Sequence, residues 1–211
     1  MPYHNFTYKN IRSKLGITPE VVSDLLTNIA PASPSEWLLQ ALENATYMYD
    51  RSEMARRELY IAPILIEVIK TVHRRAVLYS QIEFEVDASL HLTGTVDYVI
   101  TAAPMLLEIE RPVIGIAEAK VDNLQSGYGQ CIAEMVASRI HNERVHGLFL
   151  PQIYGVVTDG LQWQFMELRE NVAYIDSQPI GIAELNRILG ILVWMIETQL
   201  KHIEEATPKP N

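Results

Sequence analysis

The sequence predicts a mixed α/β layer fold, with a central mixed β-sheet flanked by helices. Three observations predict it. Helical periodicity marks both ends of the chain and alternating strands fill its middle. An apolar run, Pro112 to Ala117, reads as a buried strand between them. The order is helices, three strands, a helix, two strands and a final helix, which suits helices packed around one sheet.

At 211 residues the chain reads as one domain with an N-terminal addition. We divide it into an N-terminal helical extension over 1–50, the main domain over 51–205, and a polar, Pro-rich disordered tail over 206–211. Residues 1–16 show no clear period and read as an arm or loop. Thr18-Pro19-Glu20 has the form of a helix start, since Thr can cap and Pro suits the first helical position. Val21, Val22, Leu25, Leu26 and Ile29 give that helix an apolar face, and Pro31-Ala-Ser-Pro34 ends it. Ser35 and Glu36 start a second helix. A third begins near Ser52, with Glu53 in its first turn, where a negative charge suits the helix dipole. Pro63 should kink or break it.

Ile82-Glu-Phe-Glu-Val86 alternates as a half-buried strand does. Leu92 to Ala102 contains a second strand, and Val113 to Lys120 is the third and central one. Gly127 and Gly129 loosen the chain before a helix over about 130–141. Leu148 to Leu150 and Tyr154 to Thr158 are strand-like. Asp159-Gly160 reads as a two-residue hairpin turn into a strand over Leu161 to Leu168. A loop then leads to a long amphipathic helix from Ile182 to Ile203.

Composition limits the function. A single cysteine, Cys131, provides no internal disulfide and fits a reducing, cytoplasmic setting. The most apolar run, Ile188 to Ile196, is too short to span a bilayer, so no membrane partner is expected. The net charge of -9 opposes a broad electrostatic grip on nucleic acid, because 17 basic residues face 26 acids. It leaves room for a local basic groove or a homodimer. His141 and His146 are five residues apart, which does not put them on one helical face, so a structural role is expected of them rather than zinc.

The chemistry concentrates at Gly115-Ile-Ala-Glu-Ala-Lys120. Alternation puts Glu118 and Lys120 on one face at the end of a buried strand. Taken alone, this is also the pattern of a solvated ion pair. A second acid, Asp97, ends Gly94-Thr-Val-Asp97 one strand earlier, and Gln130 follows on the next helix. Two acids and a lysine at a sheet edge point to metal-dependent hydrolysis.

These residues resemble the PD-(D/E)XK nuclease superfamily over roughly 52–170, in element order as well as in motifs. Gly94-Thr-Val-Asp97 and Glu118-Ala-Lys120 look like its two acidic motifs, although Val96 replaces the proline. Glu53-Met-Ala-Arg56 with Ile61-Ala-Pro-Ile-Leu65 resembles the first helix of the N-terminal nuclease domains of type I restriction enzyme motor subunits, and of small stand-alone relatives. Thr158-Asp-Gly160 with Trp163 resembles their closing hairpin. The resemblance implies a restriction-endonuclease-like fold and Mg2+- or Mn2+-dependent cleavage of DNA. It implies metal ligation by Asp97, Glu118 and the Ala119 carbonyl, with Lys120, Gln130 and Glu53 in supporting catalytic roles. Glu58 and Glu67 compete with Glu53 as the acid from the first helix. The alternative it leaves open is a non-catalytic binding or assembly module of the same fold.

Overall fold

The computed structural model describes residues 2–120 and 123–206. Helix α1 (Ile11–Leu15) precedes strand β1 (Thr18–Val22) and helix α2 (Glu36–Ala45). A continuous helical stretch follows, made of α3 (Glu53–Arg56), a π turn (Arg57–Ile61) and α4 (Ala62–Thr71). Strands β2 (Ala76–Glu83), β3 (Thr95–Ala102) and β4 (Val113–Ala119) form an antiparallel meander. Helix α5 (Leu124–His146) then crosses over to β5 (Gln152–Thr158), which lies parallel to β4. Strands β6 (Gln162–Arg169), β7 (Val172–Asp176) and β8 (Ile180–Gly181) follow, and helix α6 (Leu185–Ala206) closes the described chain.

The described strands make one eight-stranded mixed sheet in the order β1-β7-β6-β5-β4-β3-β2, with β8 against β6. Alternation sorts its side chains into two cores. On β5, Tyr154 and Val156 join the core shared with α2, α4 and α6. Ile153 and Val157 join the opposite core, with α5 and the N-terminal segment. The fold is therefore mixed α/β with a large mixed sheet between two helical layers.

Several sequence expectations are corrected. Thr18-Pro19-Glu20 begins a strand rather than a helix. Its β-branched residues pair in parallel with β7, with Pro19 opposite Ala173. β1 is an edge strand, where a proline's missing donor is tolerated. Residues 1–16 contain α1, and Tyr3, Phe6 and Ile11 are wholly buried in the α5-side core. Pro63 does not break its helix. The turn over Arg57–Ile61 widens instead, and the Ala62 N–H reaches back five residues to the Arg57 carbonyl. Strand β2 begins at Ala76, six residues before the alternation at Ile82 becomes visible. Residues 148–150 are not a strand, and β7 and β8 occupy what reads as loop. The hairpin loop has three residues, Asp159 to Leu161, because Asp159 Oδ1 accepts the N–H groups of Leu161 and Gln162 at 2.9 and 2.6 Å. Of the tail, Ala206 ends α6, and residues 207–211 lie outside the described residues.

The glycines at 127 and 129 lie inside α5 rather than before it. They permit close approach, which is a packing role rather than a flexible one. A Cβ on Gly129 would stand 2.3 Å from the Thr7 carbonyl carbon, so the N-terminal segment crosses the helix at backbone contact. Gly129→Ala is therefore expected to lower the unfolding free energy by about 1–3 kcal/mol. Urea denaturation measures this, and an unchanged midpoint with an unchanged slope contradicts the packing described.

Candidate functional site

Asp97 and Glu118 meet where β3 and β4 part. The last regular pair of that ladder is Tyr98 opposite Ala117, so these two acids are one step beyond it. The Asp97 side chain closes the gap. Its Oδ2 accepts the Ala119 N–H at 2.9 Å. Its Oδ1 accepts the Gln81 amide at 2.6 Å and pairs with the Arg57 guanidinium at 3.1 Å. A carboxylate has about four lone-pair positions. Three are engaged here by described residues, which leaves one on Oδ2.

Glu118 alternates with Ala117 and Ala119 along β4. Those alanines face the α4 and α6 side, so Glu118 faces α5. It is 1% exposed. Its Oε1 accepts from the Lys120 ammonium at 2.5 Å, and its Oε2 has no hydrogen-bond partner among the described residues. Burial and the negative charge of Asp97 push its carboxyl up from 4.5 to about 8. For Lys120, burial works against the ammonium, but Glu118, Glu53 and Asp97 outweigh it and hold the amine above its ordinary value. Its side chain is 24% exposed, so the lysine lies between the buried acid and the surface.

Helix α5 lies directly on this pair. A Cβ on Gly127 would come within 2.9 Å of Lys120 Cγ and 3.5 Å of Glu118 Cγ. Three positions further along the same helical face, the buried Gln130 amide donates to Glu134 Oε1 at 3.0 Å. Gln130 therefore engages Glu134 in this structure. Glu134 is fully buried, and its Oε2 also lacks a partner among the described residues. Burial and the nearby Glu118 raise its pKa well above the carboxylate range.

The three first-helix acids separate clearly. Glu67 is spent on the start of α2, accepting from the Ser35 N–H and hydroxyl at 2.9 Å each. Glu53 is exposed, yet its charge acts on both Glu118 and Lys120. Glu58 is exposed and exerts no comparable influence there.

Two residues of the site, Gln81 and Glu134, were not among the sequence candidates. Gln81 holds Asp97 from a left-handed backbone at φ 52°, an unfavourable conformation for a non-glycine residue. Arg57 reaches Asp97 from the π turn. Glu134 had a sequence signal, since it follows Gln130 by four positions on α5. His141 and His146 were expected on different faces, but their rings meet in a T-shaped contact with centroids 5.6 Å apart. Among the described residues, no three His, Cys, Asp or Glu side chains form a ready-made cation cage. Magnesium asks for less, usually one or two carboxylates with several waters.

No protein-family model matches this chain, and no curated protein matches it either.

The shifted carboxyls set a pH dependence. Between pH 4.5 and about 8 the unfolded chain has released the Glu118 proton while the folded chain retains it. The folded state then binds more protons, so stability falls as pH rises through that window. Glu118→Gln is expected to flatten this fall. Thermal melts of both proteins from pH 5 to pH 8.5 check it, and parallel profiles would contradict the burial described for Glu118.

Proposed function

We propose that the chain is a metal-dependent nuclease of the restriction-endonuclease-like fold, acting on DNA phosphodiester bonds. One observation carries the reading. Asp97 and Glu118 converge at the opening between two sheet strands, each with an oxygen not fully engaged by described residues, and Lys120 is bound to the second acid. The chain order from Glu53 to Thr158 supports it: a helix, three antiparallel strands, a crossover helix and a parallel strand. That span lies within the 52–170 over which the sequence resembles the PD-(D/E)XK superfamily.

The residues present fit a hard divalent cation. Two buried carboxyl oxygens, on Glu118 and Glu134, lack donors among the described residues, and burial together with the nearby Asp97 charge raises the Glu118 carboxyl. A cation relieves that charge where a further hydrogen-bond donor is absent. Asp97 Oδ2 and Glu118 Oε2 would hold it. The Ala119 N–H points to Asp97, which puts its carbonyl on the same strand edge as a third oxygen. When bound, Mg2+ or Mn2+ would supply Lewis-acid polarisation of a phosphodiester oxygen and a more acidic water.

The chain's own residues supply the rest. Lys120 makes one side-chain bond among the described residues, to Glu118, and its other N–H donors can bind a phosphate oxygen as negative charge grows there. Gln81 and the Ala119 N–H fix the Asp97 carboxylate. Gln130 fixes Glu134 behind the site, and the bare Gly127 lets α5 cover Lys120. A positioned ammonium of this kind contributes about 10²–10³-fold in rate.

A second reading is favoured by one contact. The Arg57–Asp97 ion pair neutralises one acid without any metal, as a non-catalytic binding module of the same fold would. Supercoiled, linear and single-stranded DNA incubated with Mg2+ or Mn2+ separates the two readings. The nuclease reading expects cleavage by the wild type and at least about a hundredfold loss in Lys120→Ala. Equal background in both proteins removes it.

A further inference from the structure

Arg57 has a position that the proposed reaction does not yet use. The π turn of Arg57–Ile61 projects its guanidinium onto Asp97 Oδ1 at 3.1 Å, with side chains only 14% and 12% exposed. The same guanidinium lies over the Tyr98 ring, 5.4 Å from its centroid. The Tyr98 hydroxyl donates to the Arg57 carbonyl at 3.2 Å. One tyrosine, adjacent in sequence to the acid, thus holds both ends of the arginine. The π turn is a local departure from α geometry, and such bulges recur at functional sites.

The charges around the site make this contact consequential. Lys120 compensates Glu118, and Arg57 compensates Asp97. A divalent cation shared by the two acids would stand within a few ångströms of a fixed guanidinium. Two positive charges that close repel strongly in a partly buried site. Cation binding and the Arg57–Asp97 pair therefore oppose one another. The Tyr98 contacts keep a released guanidinium at the mouth of the site, and its fork of donors matches a phosphate.

We infer that Arg57 is the resident counter-ion of Asp97, that a divalent cation displaces it, and that the displaced guanidinium then binds the substrate phosphate. The arginine so couples cation entry to substrate binding. This inference rests on the metal-dependent reading of the same site.

Calorimetric titration of the full chain with Mn2+ tests it, using the wild type, Arg57→Met, Arg57→Lys and Asp97→Asn. Met keeps the apolar length over Tyr98 without the charge, and Lys keeps the charge. Arg57→Met is expected to bind Mn2+ at least about tenfold more tightly than the wild type, and Arg57→Lys to fall between the two. Unchanged or weaker Mn2+ binding by Arg57→Met overturns the counter-ion role. Should Arg57→Met fail to fold by circular dichroism, Arg57→Lys still decides: its shorter, more mobile amine pairs less firmly with Asp97, so Mn2+ binding no tighter than the wild type overturns the competition. Duplex DNA anisotropy in saturating Ca2+ tests the second half, where Arg57→Met should bind at least about tenfold more weakly. Equal DNA affinity overturns the phosphate role. Asp97→Asn separates the two layers. If it binds Mn2+ as the wild type does, the metal-site reading itself fails, whatever Arg57 does.

Discussion

The site depends on one hydrogen bond, from the Ala119 N–H to the Asp97 carboxylate. At that point β4 has left the antiparallel ladder with β3 and remains paired only with β5, through the Lys120 N–H to the Thr158 carbonyl. A backbone donor left open there would be costly, since β4 is buried on both faces. The side chain of the neighbouring strand satisfies it. The same bond fixes the aspartate beside Glu118 and orients the Ala119 carbonyl to the same edge. Strand divergence thus creates the opening, and the acid that repairs the backbone also builds the site.

Around that bond the protein concentrates carboxyl groups where ionisation is expensive. Glu118 and Glu134 are buried, each with an oxygen lacking a donor among the described residues. Stability alone would not favour this arrangement, because desolvated carboxylates resist ionisation and raise one another's pKa values. Surrounding contacts enforce it. The N-terminal segment and β5 press against α5 from two sides, with Thr7 against Gly129 and Val157 against Gly127. Gln81 accepts a left-handed backbone to reach Asp97. Strain and buried charge at one place are the mark of a site held together by its scaffold.

Part of this was legible in the sequence. Glu118 and Lys120 could be read because they finish an apolar run, where period-two alternation fixes the face, and Asp97 because it follows Gly94 at the start of the strand before. Helices α2, α3 and α6 were legible from caps or periodicity, down to Ser35 and Ser52 as N-caps, whereas α5 starts at Leu124 behind the Asn123 cap, ahead of its expected start near residue 130. What escaped depends on contacts distant in the chain. β1 carries a helix-start signal and becomes a strand only because β7 offers an edge. β7 itself is five residues long and lies where the sequence reads as loop. Arg57 reaches Asp97 only because Pro63 is absorbed by a π turn, which no periodicity announces. Gln81 lies opposite Asp97 only through the β2–β3 register. Gly127 and Gly129 look like breakers until their neighbours are known.

The most direct measurement is the position of a bound cation. Crystals grown with Mn2+ and measured at a wavelength where manganese scatters anomalously locate it without assuming any activity. A peak bonded to Asp97 Oδ2 and Glu118 Oε2 at about 2.1–2.2 Å is the result expected of a hard divalent site. A map with no peak between those two carboxylates, with Asp97 still holding Arg57, would contradict the central claim.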